Sequence, residues 1–173
     1  FKNNVKIAYG EVDGLKLYYD SYGEGKPLLL NHGGGATIQT SFGNMIPLLA
    51  KHRQIIGVEM QAHGRTNDRN TDLTFAQDAD DVAALLQNLA ISKADFLGFR
   101  NGGQTIIELA FSHLQITNKI ILSSIFYKRD ADPRQCWGGC DHSTLNDVRQ
   151  VLRQGFLAAN KDGRNCYSLL LSR

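Results

Sequence analysis

The turn at residues 98–103, Gly-Phe-Arg-Asn-Gly-Gly, is the part of the sequence whose residue types bear most directly on chemistry. An apolar run precedes it and a second apolar run with helical spacing follows, which predicts a strand, a sharp turn and a buried helix. This layout is typical of a nucleophile elbow, G-x-S-x-G, in which Gly98 and Gly102 let the strand and the helix cross closely. At the centre, where the elbow has its serine nucleophile, this chain has Arg100.

Two other stretches belong to the same pattern. The first is His-Gly-Gly-Gly at residues 32–35, which follows a short apolar strand. The second is EMQAHGRT at residues 59–66, at the end of another apolar strand. In order and spacing, from about residue 14 to residue 124, these stretches and the turn GFRNGG resemble the α/β-hydrolase family, in particular its small esterases and proline-iminopeptidase-like members.

The resemblance implies roles for the backbone groups around Arg100. The amide of Gly34 and the amide of Asn101, the residue after the nucleophile position, would form an oxyanion hole. Gly98 and Gly102 would be the elbow glycines. The alternative for the first glycine-rich stretch is a plain turn without a chemical role.

The histidines are the candidates for a catalytic base. The resemblance places the family's acid and histidine after a seventh and an eighth strand, whereas this sequence is expected to stop after the sixth strand and part of a cap. The five histidines all come too early or lie in the cap region: His32, His52, His63, His113 and His142. His63 falls within the turn at residues 59–66, so a structural role is favoured for it.

Arg100 leaves three interpretations of function open. A guanidinium has only hydrogen-bond donors and supplies no nucleophile, so we expect a relative of carboxylic-ester or acyl hydrolases that is impaired in catalysis. Alternatively, Arg100 beside the Gly34 and Asn101 amides at a helix N-terminus would bind a carboxylate or phosphate, unless its side chain points into solvent. In the third interpretation, His63 or a partner chain supplies the missing groups to a working enzyme.

The elements that would position these residues alternate between strands and helices. Strands are predicted at Val5–Tyr9, Leu15–Asp20, Pro27–Asn31, Gln54–Met60, before the elbow and at Lys119–Phe126, with a turn at Gly10–Gly14. Helices are predicted at Met45–Leu49, after a capping box of Thr74 and Gln77, and after the elbow. In the second of these, one apolar stripe is expected to be buried, formed by Phe75, Ala79, Val82, Leu86 and Leu89. This alternation predicts an α/β protein with a mostly parallel sheet and helices on both faces.

The expected division of the chain is a hydrolase core at residues 1–126 and a partial cap with a C-terminal tail at residues 127–173. The cap would contain a helix at residues 143–159. The strand at residues 119–126 is apolar and free of proline. As the last strand of an incomplete sheet, it is expected to support self-association through its open edge.

The composition narrows the class of protein. The 173 residues are 42% hydrophobic and 21% charged, which is typical of one soluble globular core. The net charge of +2 and the lack of any apolar run near ~20 residues give no indication of a nucleic-acid or membrane partner. The expected partner is a small ester or acyl substrate, or an anion. The location is left unknown: a soluble protein of the cytoplasm and one exported after removal of a leader are both open.

Three cysteines, Cys136, Cys140 and Cys166, do not make an even-numbered disulfide framework. A zinc site of Cys136, Cys140 and His142 is the alternative to ordinary thiols. Because its spacing is irregular and a fourth ligand is not evident, we expect neither a metal nor a cofactor.

Overall fold

The computed structural model describes residues 5–125, which form a six-stranded sheet with helices on both faces. The elements in chain order are β1 (Lys6–Val12), β2 (Leu15–Tyr22), β3 (Pro27–Asn31), α1 (Ile38–Phe42), α2 (Ile46–Leu49), β4 (Gln54–Val58), α3 (Phe75–Asn88), β5 (Ala94–Phe99), α4 (Asn101–Ser112) and β6 (Thr117–Ser123). A short 3₁₀ turn, Leu114–Ile116, precedes β6.

The strand order across the sheet is β1-β2-β4-β3-β5-β6. The four strands β4, β3, β5 and β6 run parallel, whereas β1 and β2 form an antiparallel hairpin that joins the sheet at β4. The prediction of a mostly parallel sheet with helices on both faces is confirmed. The carboxyl ends of β3 and β5 are neighbours, which brings the two glycine-rich turns together at one edge of the sheet.

Two apolar clusters hold the helices on the two faces of the sheet. On one face, α3 and α4 pack against the sheet. The buried residues of this cluster, from the strands and the two helices, are Val12, Leu15, Leu17, Tyr19, Leu29, Ile56, Val58, Ala79, Val82, Leu85, Leu86, Ala94, Phe96, Ile106 and Leu109. On the other face, α1 and α2 pack against the sheet, and the buried residues of this second cluster are Leu28, Leu30, Ile38, Phe42, Ile46, Ile55 and Leu97. Each fully buried side chain of this size contributes about 1.5–3 kcal/mol to the free energy of unfolding, so the strands beneath the turns form a rigid base.

The hairpin turn between β1 and β2 is shorter than predicted. The strand β1 continues through Gly10 to Val12, and only Asp13 and Gly14 form the turn, with φ angles of 41° and 74°. Two central residues with positive φ match the twist of the flanking strands, as in a type I′ hairpin. The prediction of a turn from Gly10 was therefore wrong, because Gly10 serves close packing: a Cβ there would lie 2.6 Å from Leu85 Cδ1.

Helix α3 differs from its prediction in two ways. Thr74 caps it, accepting the N–H of Gln77 at 3.1 Å, but the Gln77 side chain donates to Asp81 instead of completing a capping box. Phe75, predicted on the buried stripe, is 40% exposed, whereas Leu85 is fully buried. The first turn of α3 extends beyond the apolar cluster, so its apolar residue is left on the surface.

Other boundaries also moved, and several predictions lie outside the described residues. Helix α1 was not predicted, β4 ends at Val58 rather than Met60, and β6 spans Thr117–Ser123 rather than Lys119–Phe126. The cap at residues 127–173, its helix and all three cysteines lie outside the described part of the chain.

Candidate active site

The backbone at Arg100 has the geometry of an elbow. Its φ and ψ angles are 51° and −117°, a left-handed conformation that costs a non-glycine residue about 1–3 kcal/mol. Surrounding contacts hold it: the Arg100 N–H donates to Ser123 O at 2.9 Å, and its carbonyl accepts the Gly103 and Gln104 N–H groups at 2.9 and 3.2 Å. The structure therefore presents residue 100 on a sharp turn between β5 and α4.

The two glycines that flank Arg100 lie where strand and helix cross. A Cβ on Gly98 would be 2.5 Å from Gly102 O and 2.6 Å from Gly103 Cα. A Cβ on Gly102 would be 2.5 Å from His32 O and would also overlap the Asn31 carbonyl. Because these are backbone atoms of buried elements, neither position accepts a larger residue without moving a strand.

The turn after β3 lies against the start of α4. A Cβ on Gly34 would be 2.5 Å from Asn101 Nδ2, and Gly102 N–H donates to His32 O at 3.0 Å. Within residues 5–125, the N–H groups of Gly34 and Asn101 have no hydrogen-bond partner, and both residues are exposed. The structure thus places Gly34 against the side chain of Asn101; these are the two residues whose amides the resemblance assigns to an oxyanion hole.

The Arg100 side chain is exposed at this site. Its guanidinium carbon lies 5.5 Å from the centre of the Phe99 ring, within the range of a cation–π contact. No ion pair joins it to an acidic residue of the described chain. The site therefore has an exposed, positively charged side chain at the tip of the turn between β5 and α4.

Two buried histidines support the turn after β3. His32 is fully buried, with Nδ1 2.7 Å from Gly33 O and Nε2 accepting Met60 N–H at 3.1 Å. His63 Nδ1 lies 2.8 Å from Gln61 O, and its Nε2 accepts Gly35 N–H at 3.1 Å. Burial lowers the pKa of both rings, and burial together with the neighbouring His63 lowers the pKa of His32 to about 3. Both imidazoles are therefore neutral structural links.

The segment after β4 is a structural turn, as its resemblance implied. The buried Glu59 carboxylate accepts the Arg65 backbone N–H at 2.7 Å and the Arg65 guanidinium at 2.6 Å. Thr66 Oγ1 donates to Glu59 O at 2.5 Å and accepts Tyr18 N–H at 2.9 Å. These bonds fasten the turn to β2, so Glu59 takes a structural role rather than that of a catalytic acid.

A polar network that the sequence did not reveal fixes Gln61. Its side-chain Nε2 donates to Asp68 Oδ1 at 2.8 Å, and its Oε1 accepts Arg69 Nε at 2.8 Å. Arg69 also pairs with Asp81 of α3. Burial and the nearby Asp81 raise the pKa of Asp78 to about 7, although Arg69 and the Gln61 N–H oppose this. The spacing of polar loop residues gave no signal of these partners.

Neither a metal site nor a membrane span is found in the part of the chain that the structure describes. No group of three or more His, Cys, Asp or Glu side chains in it is arranged to hold a metal ion. No helix among the described residues has the length and apolar character to cross a bilayer.

The comparisons with known proteins agree with this geometry. The model of the α/β hydrolase fold family matches residues 26–160. The chain is 29% identical over 117 residues to 2-hydroxy-6-oxo-6-(2'-aminophenyl)hexa-2,4-dienoic acid hydrolase of Metapseudomonas resinovorans, a match over 63% of this chain and 39% of that protein. It is 26% identical over 124 residues to pyrrolizixenacetamide deacetylase of Xenorhabdus hominickii, over 72% of this chain and 45% of that protein.

A solved structure shares the fold. Est816, described as an N-acyl homoserine lactone degrading enzyme, superposes with a TM-score of 0.71 at 27% identity, covering 84% of this chain and 55% of that one. The chain thus spans about half the length of the proteins it matches. The family match, the elbow between β5 and α4 and the glycine turn after β3 together establish that this chain belongs to the α/β-hydrolase fold family.

Proposed function

We propose that this protein is a relative of ester and acyl hydrolases that keeps the architecture of their site but lacks covalent catalysis. The observation that carries the proposal is Arg100 itself, which has the elbow backbone conformation but no nucleophilic atom. The Gly34 and Asn101 amides beside it are open to an acyl oxygen or an anion. Binding at this edge of the sheet is therefore retained, whereas attack on a carbonyl carbon is not.

The described histidines support this proposal, because none of them is placed to act as a base at residue 100. His32 and His63 have both ring nitrogens engaged. His113 follows the C-terminal end of α4, where its Nε2 lies 2.6 Å from Asp80 Oδ1. His52 precedes β4, at the opposite end of the parallel strands from the elbow.

The class of ligand follows from the relatives. The names of the three proteins compared above refer to carbonyl compounds: an oxo acid, an acetamide and an acyl lactone. An oxyanion hole recognises the carbonyl oxygen rather than the rest of the molecule. We therefore assign a small ester or acyl compound as the ligand class.

A serine-directed fluorophosphonate probe tests the loss of covalent chemistry. The chain should form no adduct, and Arg100→Ser should recover little turnover of p-nitrophenyl acetate, because no described histidine is placed to activate a serine at residue 100 and a serine without a base is weakly nucleophilic. Arg100→Ala is the matched control for removing the guanidinium. Stoichiometric labelling of the unaltered chain at any residue, located by mass spectrometry, would refute the proposal.

A second candidate function is binding of a small anion. It is favoured by the Arg100 guanidinium, which no described acid neutralises, beside two open amides at the start of a twelve-residue helix. Acetate or inorganic phosphate should then stabilise the folded chain by about 2.7 kcal/mol at a hundredfold excess over Kd. This stabilisation should appear as a higher melting temperature. Arg100→Ala should abolish the rise. No rise at millimolar anion would exclude this function.

Self-association through β6 is a separate proposal. Ile120 and Ile121 of β6 are 41% and 56% exposed. An apolar strand at the edge of the described sheet offers backbone groups to a second copy. Ile121→Lys should shift the population toward monomer, measured by light scattering at increasing concentration. A chain that is already monomeric at high concentration would contradict this.

A further inference from the structure

The contacts of His63 fix its protonation. Its Nδ1 lies 2.8 Å from Gln61 O, a group that only accepts, so Nδ1 carries the proton. Its Nε2 receives the N–H of Gly35 at 3.1 Å, so Nε2 carries none. Both contacts exist together only in the neutral imidazole protonated at Nδ1.

We propose that His63 is the positioning residue of the turn Gly33–Gly35. Its uncharged ring fastens the Gly35 N–H to the segment after β4 and thereby sets the position of the adjacent Gly34 N–H. This inference rests on the proposed function, because the Gly34 amide is one of the two donors assigned to the acyl oxygen or anion. His63 does not touch the ligand; it acts through the backbone of the turn.

Among the described residues, the other hydrogen bonds of the turn go to Gly33 O, which lies 2.7 Å from His32 Nδ1. The internal hydrogen bond of the turn joins Ala36 N–H to Gly33 O at 3.2 Å, and Gly35 has a positive φ of 68°. Three consecutive glycines have no side chains to pack and the widest choice of backbone conformations. Without the imidazole acceptor, the Gly35 N–H would have no partner among the described residues.

Gln61, whose carbonyl accepts from His63 Nδ1, is itself held in place by its neighbours. The Gln61 side chain bonds to Asp68 and Arg69, and Arg69 is held in turn by Asp81. The Gln61 N–H faces the carboxylate of Asp78 on α3. The carbonyl that orients His63 therefore belongs to a residue held on both sides.

The surroundings of the ring favour its neutral form. The His32 ring lies against it with centres 4.9 Å apart, and both nitrogens of His32 are already engaged. Burial lowers the pKa of His63, while the Gln61 carbonyl and the Glu59 carboxylate raise it. Arg65 neutralises Glu59. A proton added at Nε2 would face the Gly35 N–H, setting donor against donor and releasing the turn.

Nuclear magnetic resonance of the full chain, labelled with ¹⁵N-glycine and ¹⁵N-histidine, tests this inference. His63 should show the Nδ1–H tautomer, and the Gly35 amide should be protected from hydrogen exchange. In His63→Phe, the Gly35 protection should fall by about tenfold, the effect of one hydrogen bond. The Gly102 amide, bonded to His32 O, is the internal control. His63→Gln, which keeps an uncharged acceptor, should restore protection.

A second measurement separates this inference from the proposed function. Acetate should shift the Gly34 and Asn101 amide signals of the unaltered chain, and His63→Phe should weaken its affinity by about fivefold. If acetate does not bind the unaltered chain, the anion function fails while the Gly35 protection still decides the role of His63. Unchanged Gly35 protection in a folded His63→Phe would overturn the inference.

If His63→Phe does not fold, a pH titration of the unaltered chain takes its place. Gly35 protection should then fall together with the protonation signal of the His63 ring, while Gly102 protection persists. A Gly35 amide that stays protected after the ring is protonated would also overturn the inference.

Discussion

Acid should destabilise this fold through the buried histidine His32. Burial and the neighbouring His63 lower the His32 pKa from 6.5 to about 3. The folded chain thus binds fewer protons here than the unfolded chain once the pH falls below about 6.5. The stability that depends on the neutral ring is complete above that pH and is lost as the pH falls toward 3.

The size of the effect follows from the shift. Each pH unit below the unfolded pKa removes about 1.4 kcal/mol, so lowering the pH to about 4.5 should cost about 2.7 kcal/mol. A domain of this size has only about 5–15 kcal/mol of stability in total. Asp78 acts in the opposite direction over part of this range, because its raised pKa makes the protonated carboxyl the favoured form. The total pH curve therefore mixes both contributions.

Comparing variants isolates the histidine. His32→Gln keeps an uncharged acceptor for the Met60 N–H and does not titrate. Urea unfolding of both chains at about pH 7 and about pH 4.5 gives two differences in the free energy of unfolding. The free energy of unfolding of the unaltered chain minus that of His32→Gln should be about 2.7 kcal/mol smaller at about pH 4.5 than at about pH 7. His52→Gln, which removes an exposed histidine, is the matched control. A difference that stays constant with pH would refute the buried neutral ring.

Three further predictions concern single positions. Gly102→Ala should lower the free energy of unfolding by about 3 kcal/mol, because its Cβ would overlap the backbone of Asn31 and His32. Gly103→Ala should cost less, because the overlap there is with one side-chain methyl group, that of Ile125, and not with backbone; urea unfolding measures both. Asn31→Leu should raise the free energy of unfolding by about 1–3 kcal/mol in the same assay, because the side-chain amide of Asn31 is fully buried and has no hydrogen-bond partner within residues 5–125. Asp78→Asn should stabilise the chain above about pH 7 but not below about pH 4, because the raised pKa penalises only the carboxylate; equal melting-temperature gains at both pH values would contradict this.

The elbow and the parallel strands were predictable because their signals are local. Glycines at fixed offsets around Arg100 reflect a steric need that any chain of this fold shares, and the continuous apolar run Pro27–Asn31 coincides with β3. Helix α1 escaped prediction because it is one and a half turns long. Its two buried residues, Ile38 and Phe42, are too few to establish a helical period.

The supports of the site could not be read from the sequence. One partner of His63, Gly35, lies 28 residues before it in the chain, and the other, Gln61, lies two residues before it. The network around Gln61 extends through Arg69 to Asp81 of α3. Such pairings depend on how loops from neighbouring strands meet after folding. Residue type indicates that a histidine can donate and accept, but only the fold determines which backbone groups it receives.

At residue 100 the fold depends on the backbone conformation and not on the side chain. The bonds that hold its backbone use only the N–H and C=O groups, and its side chain is exposed. Any residue other than glycine bears a similar conformational cost there, so folding selects only weakly among side chains at this position. A lineage can therefore lose or regain a nucleophile in a single substitution while Gly98 and Gly102 stay fixed. At residue 100 the fold therefore constrains the backbone and leaves the choice of side chain open, whereas at Gly98 and Gly102 it constrains the residue type itself.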